Sequence, residues 1–491
     1  VILKAMHLTH TAILCDHARL AASQSLGRTA INKLQRVFPN MSIALIILAA
    51  GKGTRMKSDL PKVLHEVAGA PMLVHAMKSG DALEPSKTVV VAGHGADAVT
   101  AAVTDFDENA DVVLQVEQLG TAHAVAQAKS ALAGFEGDAI VLYGDTPFIS
   151  SETLERMTAA RASHDIIVLG FEAADPGRYG RLVMSGESLT KIVEFKDASD
   201  EERNITLCNS GVICANSDVL FDLIDAVSNE NASGEYYLTD IVEIAQSKGL
   251  GATAVTCNES ETLGVNSRVQ LAEADAIFQR KARIDLMEAG VTLHAPDTVY
   301  LSHDTHIGPD TIIEPNVVFG PAVTVENGAH IRAFSHLEGC HVSRGAVVGP
   351  YARLRPGTEL AEFTKVGNFV EIKNAVIDEG AKVNHLSYIG DAHVGERANI
   401  GAGTITCNYD GVMKHHTEIG EDSFIGSNTL LIAPVSIGAN AMTGSGTVVT
   451  QDVPDDALAI ARAKQVNKPG LAVKLFDMLK KKKASKAKGT S

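Results

Sequence analysis

Between Ile307 and Pro454 an apolar residue returns at every sixth position. Ile307, Ile313, Phe319, Val325, Ile331 and Leu337 form one run; Val348, Leu354, Leu360, Val366 and Ile372 form a second; Ile419, Ile425, Leu431, Ile437, Thr443 and Val449 form a third. A period of six suits neither an α-helix nor an alternating strand. It predicts stacked hexapeptide coils, a parallel β-helix, with the recurrent residue pointing inward. Three hexads close one triangular coil, and coils stacked at a sheet spacing of ~4.8 Å give a rod of roughly 40 Å. Glycine often follows the apolar residue, as at Gly308, Gly320, Gly349, Gly367, Gly390, Gly401, Gly420, Gly426, Gly438 and Gly444. The expectation is that glycine there supplies an unusual corner backbone angle. A narrow core built from Val, Ile, Leu and Ala accounts for part of the low aromatic content, 4% with no Trp.

A chain of 491 residues holds at least two domains. Residues 41–268 alternate strand patterns (43–49, 88–92, 112–115, 139–143, 166–171) with helical stretches such as 121–132 and 151–162, the order of a mostly parallel α/β sheet. Residues 269–289 have helical spacing and end at Gly290, so they read as a linker helix before the β-helix segment 290–491. Residues 1–40 are basic and resemble a targeting peptide only loosely; they read as an extension outside the native fold, with Met41 as the natural start. Lys480–Lys483, Lys486 and Lys488 read as a solvated, disordered tail. A net charge of −16 argues against a nucleic-acid partner. No apolar run approaches the ~18 residues of a membrane span. Six Cys without metal or redox spacing read as reduced cytosolic thiols, so a cytoplasmic location is expected.

The first strand closes on Leu48–Met56, LAAGKGTRM. Gly51 and Gly53 let the backbone approach a ligand, neighbouring N–H groups can cradle phosphate, and Lys52, Arg55 and Lys62 add charge. The Gly-Lys-Ser/Thr ending of a Walker loop is missing, and Met56 stands where a dinucleotide fingerprint needs its third glycine. Asp145 follows the apolar run Ala139–Tyr143, and a carboxylate at the C-terminal end of a strand suits Mg²⁺. Read alone, Asp145 is more simply a turn residue before Pro147.

With Leu60-Pro61-Lys62, QLGTAHA (118–124), YGDTP (143–147), IVEFKDA (192–198), CNSG (208–211), EYYLTD (235–240) and GVNSR (264–268), the first segment resembles sugar-1-phosphate nucleotidylyltransferases. Over about 41–465 the chain resembles the bacterial bifunctional family of N-acetylglucosamine-1-phosphate uridylyltransferases and glucosamine-1-phosphate acetyltransferases. That resemblance implies a Rossmann-like uridylyltransferase domain joined by a helix to a left-handed β-helix acetyltransferase domain. It implies a homotrimer and a role in supplying peptidoglycan and lipopolysaccharide precursors. Mg²⁺ is implied as cofactor, held by Asp145 and Asn266, with UTP and acetyl-CoA as co-substrates. The nucleotide is implied near Leu48, Ala49, Ala50, Gly51, Gln115, Gly120, Thr121, Tyr143 and Gly144, with Arg55 and Lys62 facing its triphosphate. The sugar is implied near Gly180, Glu194 and Asn209. Without the resemblance, Gly180 is a turn and Glu194 a solvated strand edge.

On the β-helix, Arg355 and Lys373 each follow an inward aliphatic and stand eighteen residues apart, which places them on adjacent coils. Stacked cations make sense beneath an anion; the alternative is a chance pair on a solvated face. His385 lies between the inward Val383 and Ile389, and a neutral imidazole suits a general base for an amine nucleophile. NHLSYIGD (384–391) and NIGAGTITCNYDG (399–411) resemble the acetyltransferase half. The resemblance implies His385 as base, Arg355, Lys373, Tyr388 and Asn399 as sugar-phosphate contacts, and Ala402, Asn408, Tyr409, Ser427, Ser445 and Arg462 along an acetyl-CoA groove. Asn408 is implied as an oxyanion donor, or as a residue that merely shapes the loop interrupting the hexads. Two rival readings remain at this point: a single-activity nucleotidylyltransferase with a regulatory β-helix, and a non-enzymatic trimeric scaffold.

Overall fold

The computed structural model describes residues 42–488. The expectation for residues 1–40 lies outside the described residues. The chain divides between Gln279 and Arg280 into two compact units.

The first unit is built on a twisted sheet in the strand order Ala252–Cys257, Ile166–Glu172, Leu207–Asn216, Asp138–Tyr143, Ile43–Ala49, Lys87–Ala92, Asp111–Leu114. All neighbours on this path are parallel except at Leu207–Asn216, which runs antiparallel to both of its partners. Ile43–Ala49 lies in the sheet interior with helices covering both faces, and its near-continuous apolar sequence follows from that. The hairpin Arg181–Ser185/Ser188–Val193 was not marked by any clean alternation, because polar residues fall on its half-buried face. Register pairs Leu48 with Tyr143, so the loops after these two strands open at the same carboxyl edge, the usual place for a ligand in such a sheet.

The helix Arg268–Glu288 begins one residue before the expected linker. Its first half belongs to the first unit: Leu271, Ala274 and Phe278 cover Val67, Met72 and Val265. Ala282 and Leu286 pack on the core of the second unit.

The second unit is a left-handed parallel β-helix. Short strands stack in parallel register, for example Ile313–Ile331–Val348–Val366–Val383–Ile400–Ile425 along one face. Every residue of the three apolar series is buried, Thr443 included. Thr443 keeps its hydroxyl satisfied by accepting from Gly426 N at 2.9 Å.

The expected role of the recurrent glycines is corrected. Of the ten, only Gly349 (φ +96°) is left-handed. At most of the others the next coil passes too close for a Cβ; at Gly390 the obstruction is the Tyr388 ring, and at Gly444 nothing comes nearer than 3.3 Å. A Cβ at Gly308 would come within 2.7 Å of Asn327 N, and one at Gly426 within 2.4 Å of Thr443 O. The left-handed corner falls two residues later, on Asp310, Asp422, Asn428 and Asn440, the residue types that tolerate it best after glycine.

The expected disordered tail is also corrected: Leu471–Lys488 is helical, with Gly470 in the left-handed conformation before it. The lysine run argued for disorder through charge, but Leu, Ala, Met and Lys are all good helix formers.

One ion-pair ladder on the β-helix makes stability depend on pH. His393 sits between Glu418, 2.6 Å from Nδ1, and Asp378, 2.7 Å from Nε2. Partial burial alone would lower its pKa, but the bonds to both carboxylates outweigh it and raise it. The stabilisation is therefore complete below the unfolded histidine value of ~6.5 and is lost as pH rises through the higher folded value. All three side chains are partly exposed, so screening limits the effect to roughly 0.2–1 kcal/mol. Urea unfolding of wild type and His393→Gln should differ by that amount at low pH and converge as pH rises. A difference that persists unchanged at high pH would sink the assignment.

Candidate active sites

The loop after Ile43–Ala49 is shaped by close contacts. Gly53 has φ +59°, and a Cβ there would meet Lys62 Cβ at 2.5 Å, so glycine lets the Lys62 segment pack against the loop. A Cβ on Gly51 would meet no protein atom within 4 Å, which leaves its backbone open to a ligand. Lys62 points its ammonium at the Asp145 carboxylate in an ion pair and donates to Asn266 Oδ1 at 3.1 Å. Arg55 donates to the same Asn266 oxygen at 2.9 Å. The Asn266 amide is fixed at its other end, where Nδ2 donates to Gly264 O at 3.3 Å. Val265 N donates to Asp145 O at 2.9 Å and ties the two segments together. Two oxygens from distant parts of the chain thus converge on one cation. Such a pair suits a hard divalent ion that completes its shell with water and phosphate. Among the described residues no group of three or more His, Cys, Asp and Glu gathers for a metal.

Beside this point, Gln115 is buried and donates to Gly120 O at 3.2 Å. Gly120 has φ +125°, and a Cβ there would strike Tyr236 O at 2.4 Å. Thr121 Oγ1 accepts from Leu238 N at 2.9 Å. Gln118, inside a motif the sequence displayed but not singled out, donates to Ala50 O at 2.5 Å and links the glycine loop to the 115–121 segment. Lys52, Gly93, His94, Gln115 and Gln118 line an open cleft here.

Gly180, Glu194 and Asn209 form a second wall. Asn209 N donates to Gly180 O at 2.8 Å, and a Cβ on Gly180 would lie 3.4 Å from Glu194 Oε1 and 3.6 Å from Asn209 Cβ. Burial raises the Glu194 pKa, against the hydrogen bond from Thr239 that lowers it; Asp240 and Asp197 add to the rise. Burial also pushes Asp240 up to about 6, helped by Glu243 and Asp197. Tyr143 lies between the two walls: burial raises its hydroxyl well above the ordinary value, with the Asp145 and Glu194 charges adding to it. Gly211, at φ +92°, leaves room for the Tyr143 ring, which a Cβ would meet at 2.7 Å.

On the β-helix the implied residues fall along two edges. The first edge carries Asn368 and His385, paired across adjacent coils, and the same register continues to Ala402 and Ser427. Asn428 N donates to Ala402 O and Gly446 N to Ser427 O, each at 2.8 Å, and the Arg462 guanidinium donates to Ser445 O. The Ser445 contact is through its backbone, which any side chain would allow. His385 is exposed, and its Nδ1 lies 2.9 Å from Asn368 Oδ1. An amide oxygen only accepts, so Nδ1 carries the proton and Nε2 presents the free lone pair.

The second edge carries the cations. Leu354–Ile372 pairing puts Arg355 level with Lys373, and Arg355 N donates to Ile372 O at 2.9 Å. Lys414, from the loop that interrupts the hexads, joins them; sequence reasoning missed it because it follows no repeat. Lys414, then Arg355, hold Lys373 below the ordinary lysine range. Glu371 accepts from Arg355 at 2.8 Å. Asn408 donates to the buried Asp391, which also accepts from Asn374 at 2.7 Å. Asn408 O accepts from His415 N at 2.8 Å, so this residue anchors the inserted loop. Tyr409 is exposed there and donates to Gly411 O at 2.6 Å. Tyr388 pairs with Glu371, two positions before the cation column, and Asn399 sits beside the first edge, level with Lys382.

Comparison with known proteins follows the same division. Residues 45–206 match the MobA-like NTP transferase domain family. Residues 304–339 and 416–451 match the bacterial transferase hexapeptide family (six repeats). "Bifunctional protein GlmU" of Ruegeria pomeroyi is 71% identical over 450 residues, covering 92% of this chain and 100% of the relative. The protein of the same name from a Ruegeria species is 70% identical over 449 residues, 91% of this chain and 100% of the relative. That of Cereibacter sphaeroides is 66% identical over 450 residues, 92% and 99%. Identity at this level along nearly the full length of each relative excludes both rival readings, and the chain belongs to the GlmU family of bifunctional transferases that make UDP-N-acetylglucosamine.

Proposed function

We propose that the first unit performs the uridylyl transfer and the second the acetyl transfer, each with the residues gathered above. The observation that carries the first assignment is the convergence of Arg55, Lys62, Asp145 and Asn266, up to 211 positions apart in the chain. In this reading a phosphate oxygen of N-acetylglucosamine-1-phosphate attacks the α-phosphorus of UTP, and pyrophosphate leaves. Both reactants are anions, so the chain's work is neutralisation and in-line positioning. Arg55 and Lys62 face the triphosphate. Leu48–Gly51, Gln115, Gly120 and Thr121 hold the nucleoside, with Tyr143 and Gly144 at the strand end. Asp145 and Asn266 hold Mg²⁺, which supplies charge neutralisation at the phosphates. Gly180, Glu194 and Asn209 receive the sugar. No general base is needed, because the attacking phosphate is already ionised.

In the second unit the amine of glucosamine-1-phosphate attacks the acetyl-CoA thioester carbon. The carbon–sulfur bond breaks, CoA leaves, and His385 Nε2 takes the proton of the amine. Arg355, Lys373 and Lys414 hold the sugar phosphate with Tyr388 and Asn399. The edge from Ala402 through Ser427 and Ser445 to Arg462 carries acetyl-CoA, with Asn408 and Tyr409 beside it.

The cation column, where Lys373 pairs with Gly390, and the His385 column, where Asn368 pairs with His385, stand apart along the coils. That separation supports a site completed by a neighbouring copy, and so a homotrimer. A further support is an apolar corner next to His385: Phe334, Tyr351 and Phe369 stack at centroid distances of 4.9 and 5.3 Å, and Leu386 follows, all exposed and all at positive φ. Bulky residues in that conformation are strained, and an exposed apolar ladder is a common interface feature. Light scattering should give three times the chain mass for the active protein. A fully active monomer would contradict the shared site. Among the described residues no helix is long and apolar enough to cross a membrane.

A further inference from the structure

Arg181 is a charged side chain that the chemistry above does not use, yet it is 2% exposed. Its guanidinium faces carbonyls rather than a carboxylate. Nη1 donates to Pro176 O at 3.3 Å and to Tyr179 O; Nη2 donates to Gly177 O at 3.1 Å and Arg203 O at 3.3 Å; Nε donates to Arg203 O at 3.4 Å. The guanidinium also lies 5.8 Å from the Phe195 ring centroid, and Arg203 approaches that ring at 5.0 Å. One side chain thus closes the 176–179 turn, holds the end of the short helix Asp200–Arg203 and rests on Phe195.

Each of these segments adjoins the second wall of the nucleotidyl site. Gly180 follows the turn directly, Glu194 precedes Phe195, and Asn209 N bonds to Gly180 O. Burying a guanidinium without a carboxylate is costly unless its donors are satisfied, and here a planar fork meets carbonyls from two loops at once. A lysine has three donors on a flexible stem and cannot span that fan.

We propose that Arg181 is a positioning residue for the sugar substrate: it fixes Gly180, Glu194 and Asn209 as one wall and so sets affinity for N-acetylglucosamine-1-phosphate without touching it. The inference rests on the reading that this wall receives the sugar. Displacement of binding groups by about 1 Å costs on the order of 10²-fold, so a partial slackening should raise the sugar KM by about tenfold or more. The UTP KM should stay within about twofold, because the glycine loop and Gln115 do not contact Arg181.

The test is uridylyl transfer by the full chain carrying Arg181→Lys or Arg181→Met, with both KM values measured, alongside Glu194→Gln. Acetyl transfer by the same preparations reports the remainder of the chain. The expected result is a raised sugar KM in all three variants, smaller for Arg181→Lys than for Arg181→Met, with the UTP KM unmoved. If Glu194→Gln raises the sugar KM and neither Arg181 variant does, the positioning role is overturned and the pocket stands. If both Arg181 variants lose sugar and UTP binding together, or collapse the unit, Arg181 is merely structural and the proposal is also overturned. If Glu194→Gln leaves the sugar KM unmoved while the Arg181 variants raise it, the sugar contacts were misassigned but the positioning effect is real.

Discussion

Asp145→Ala abolishes uridylyl transfer and leaves acetyl transfer at its wild-type rate: this is the largest effect expected from a single substitution. Asp145 pairs with Lys62 at the point where Arg55 and Asn266 also meet. In the proposed reading its removal would strip a divalent cation of its charged ligand, and it leaves the Lys62 ammonium without its ion-pair partner. Metal neutralisation of a transferring phosphoryl group is worth several kcal/mol, so a loss of about 10³-fold or more follows at 1.36 kcal/mol per decade. Asp145→Asn is the sharper variant, since it keeps volume and one oxygen while removing charge. It should fall nearly as far, with partial recovery at high Mg²⁺ concentration. A folded Asp145→Asn variant with wild-type activity at ordinary Mg²⁺ would remove this carboxylate from metal binding.

His385→Ala lowers the kcat of acetyl transfer by about 10²–10⁴-fold, the usual worth of a positioned base, with a smaller effect on KM. The acceptor amine is mostly protonated at neutral pH and must shed a proton before or during attack. Asn368 holds Nδ1, so in the proposed reading Nε2 is the nitrogen that would receive it. Uridylyl transfer should be unchanged in the variant, since the two proposed sites share no residue. Asn368→Ala, which frees the ring to rotate and change tautomer, should lower kcat by less than His385→Ala. Both activities measured for wild type and the two variants check this. A folded His385→Ala variant that keeps the wild-type rate would assign proton removal to water or another group.

The β-helix was legible because its physics is periodic. A triangular coil demands an inward apolar residue in every hexad, and each named position from Ile307 to Val449 is buried. The reason for the glycines was not legible, because a crowded Cβ and a left-handed φ leave the same letter in a sequence. Gly401, blocked by Ile425 O at 2.5 Å, shows the first cause, and Gly349 the second. The stacking of Arg355 on Lys373 followed from the spacing; Lys414 did not, since an inserted loop breaks the register that locates a residue. In the first unit the strands announced themselves as apolar runs, but the meeting of Lys62 with Asp145 and Asn266 joins positions 83 and 204 apart. No local pattern encodes such a meeting, and only the family resemblance suggested it. Arg181 left no signal at all: a buried arginine that serves carbonyls looks in sequence like any surface arginine.

Two independent sites on one chain, as proposed, imply complementation between inactive proteins. Purified Asp145→Ala and His385→Ala chains, each assembled separately, are mixed and given glucosamine-1-phosphate, acetyl-CoA, UTP and Mg²⁺. The account predicts UDP-N-acetylglucosamine from the mixture at a rate near that of wild type at half concentration, and almost none from either variant alone. The intermediate, N-acetylglucosamine-1-phosphate, should build up with Asp145→Ala alone. Failure of the mixture to make product while both variants remain folded, or loss of both activities in either variant, would contradict the assignment of the two reactions to two separate sites.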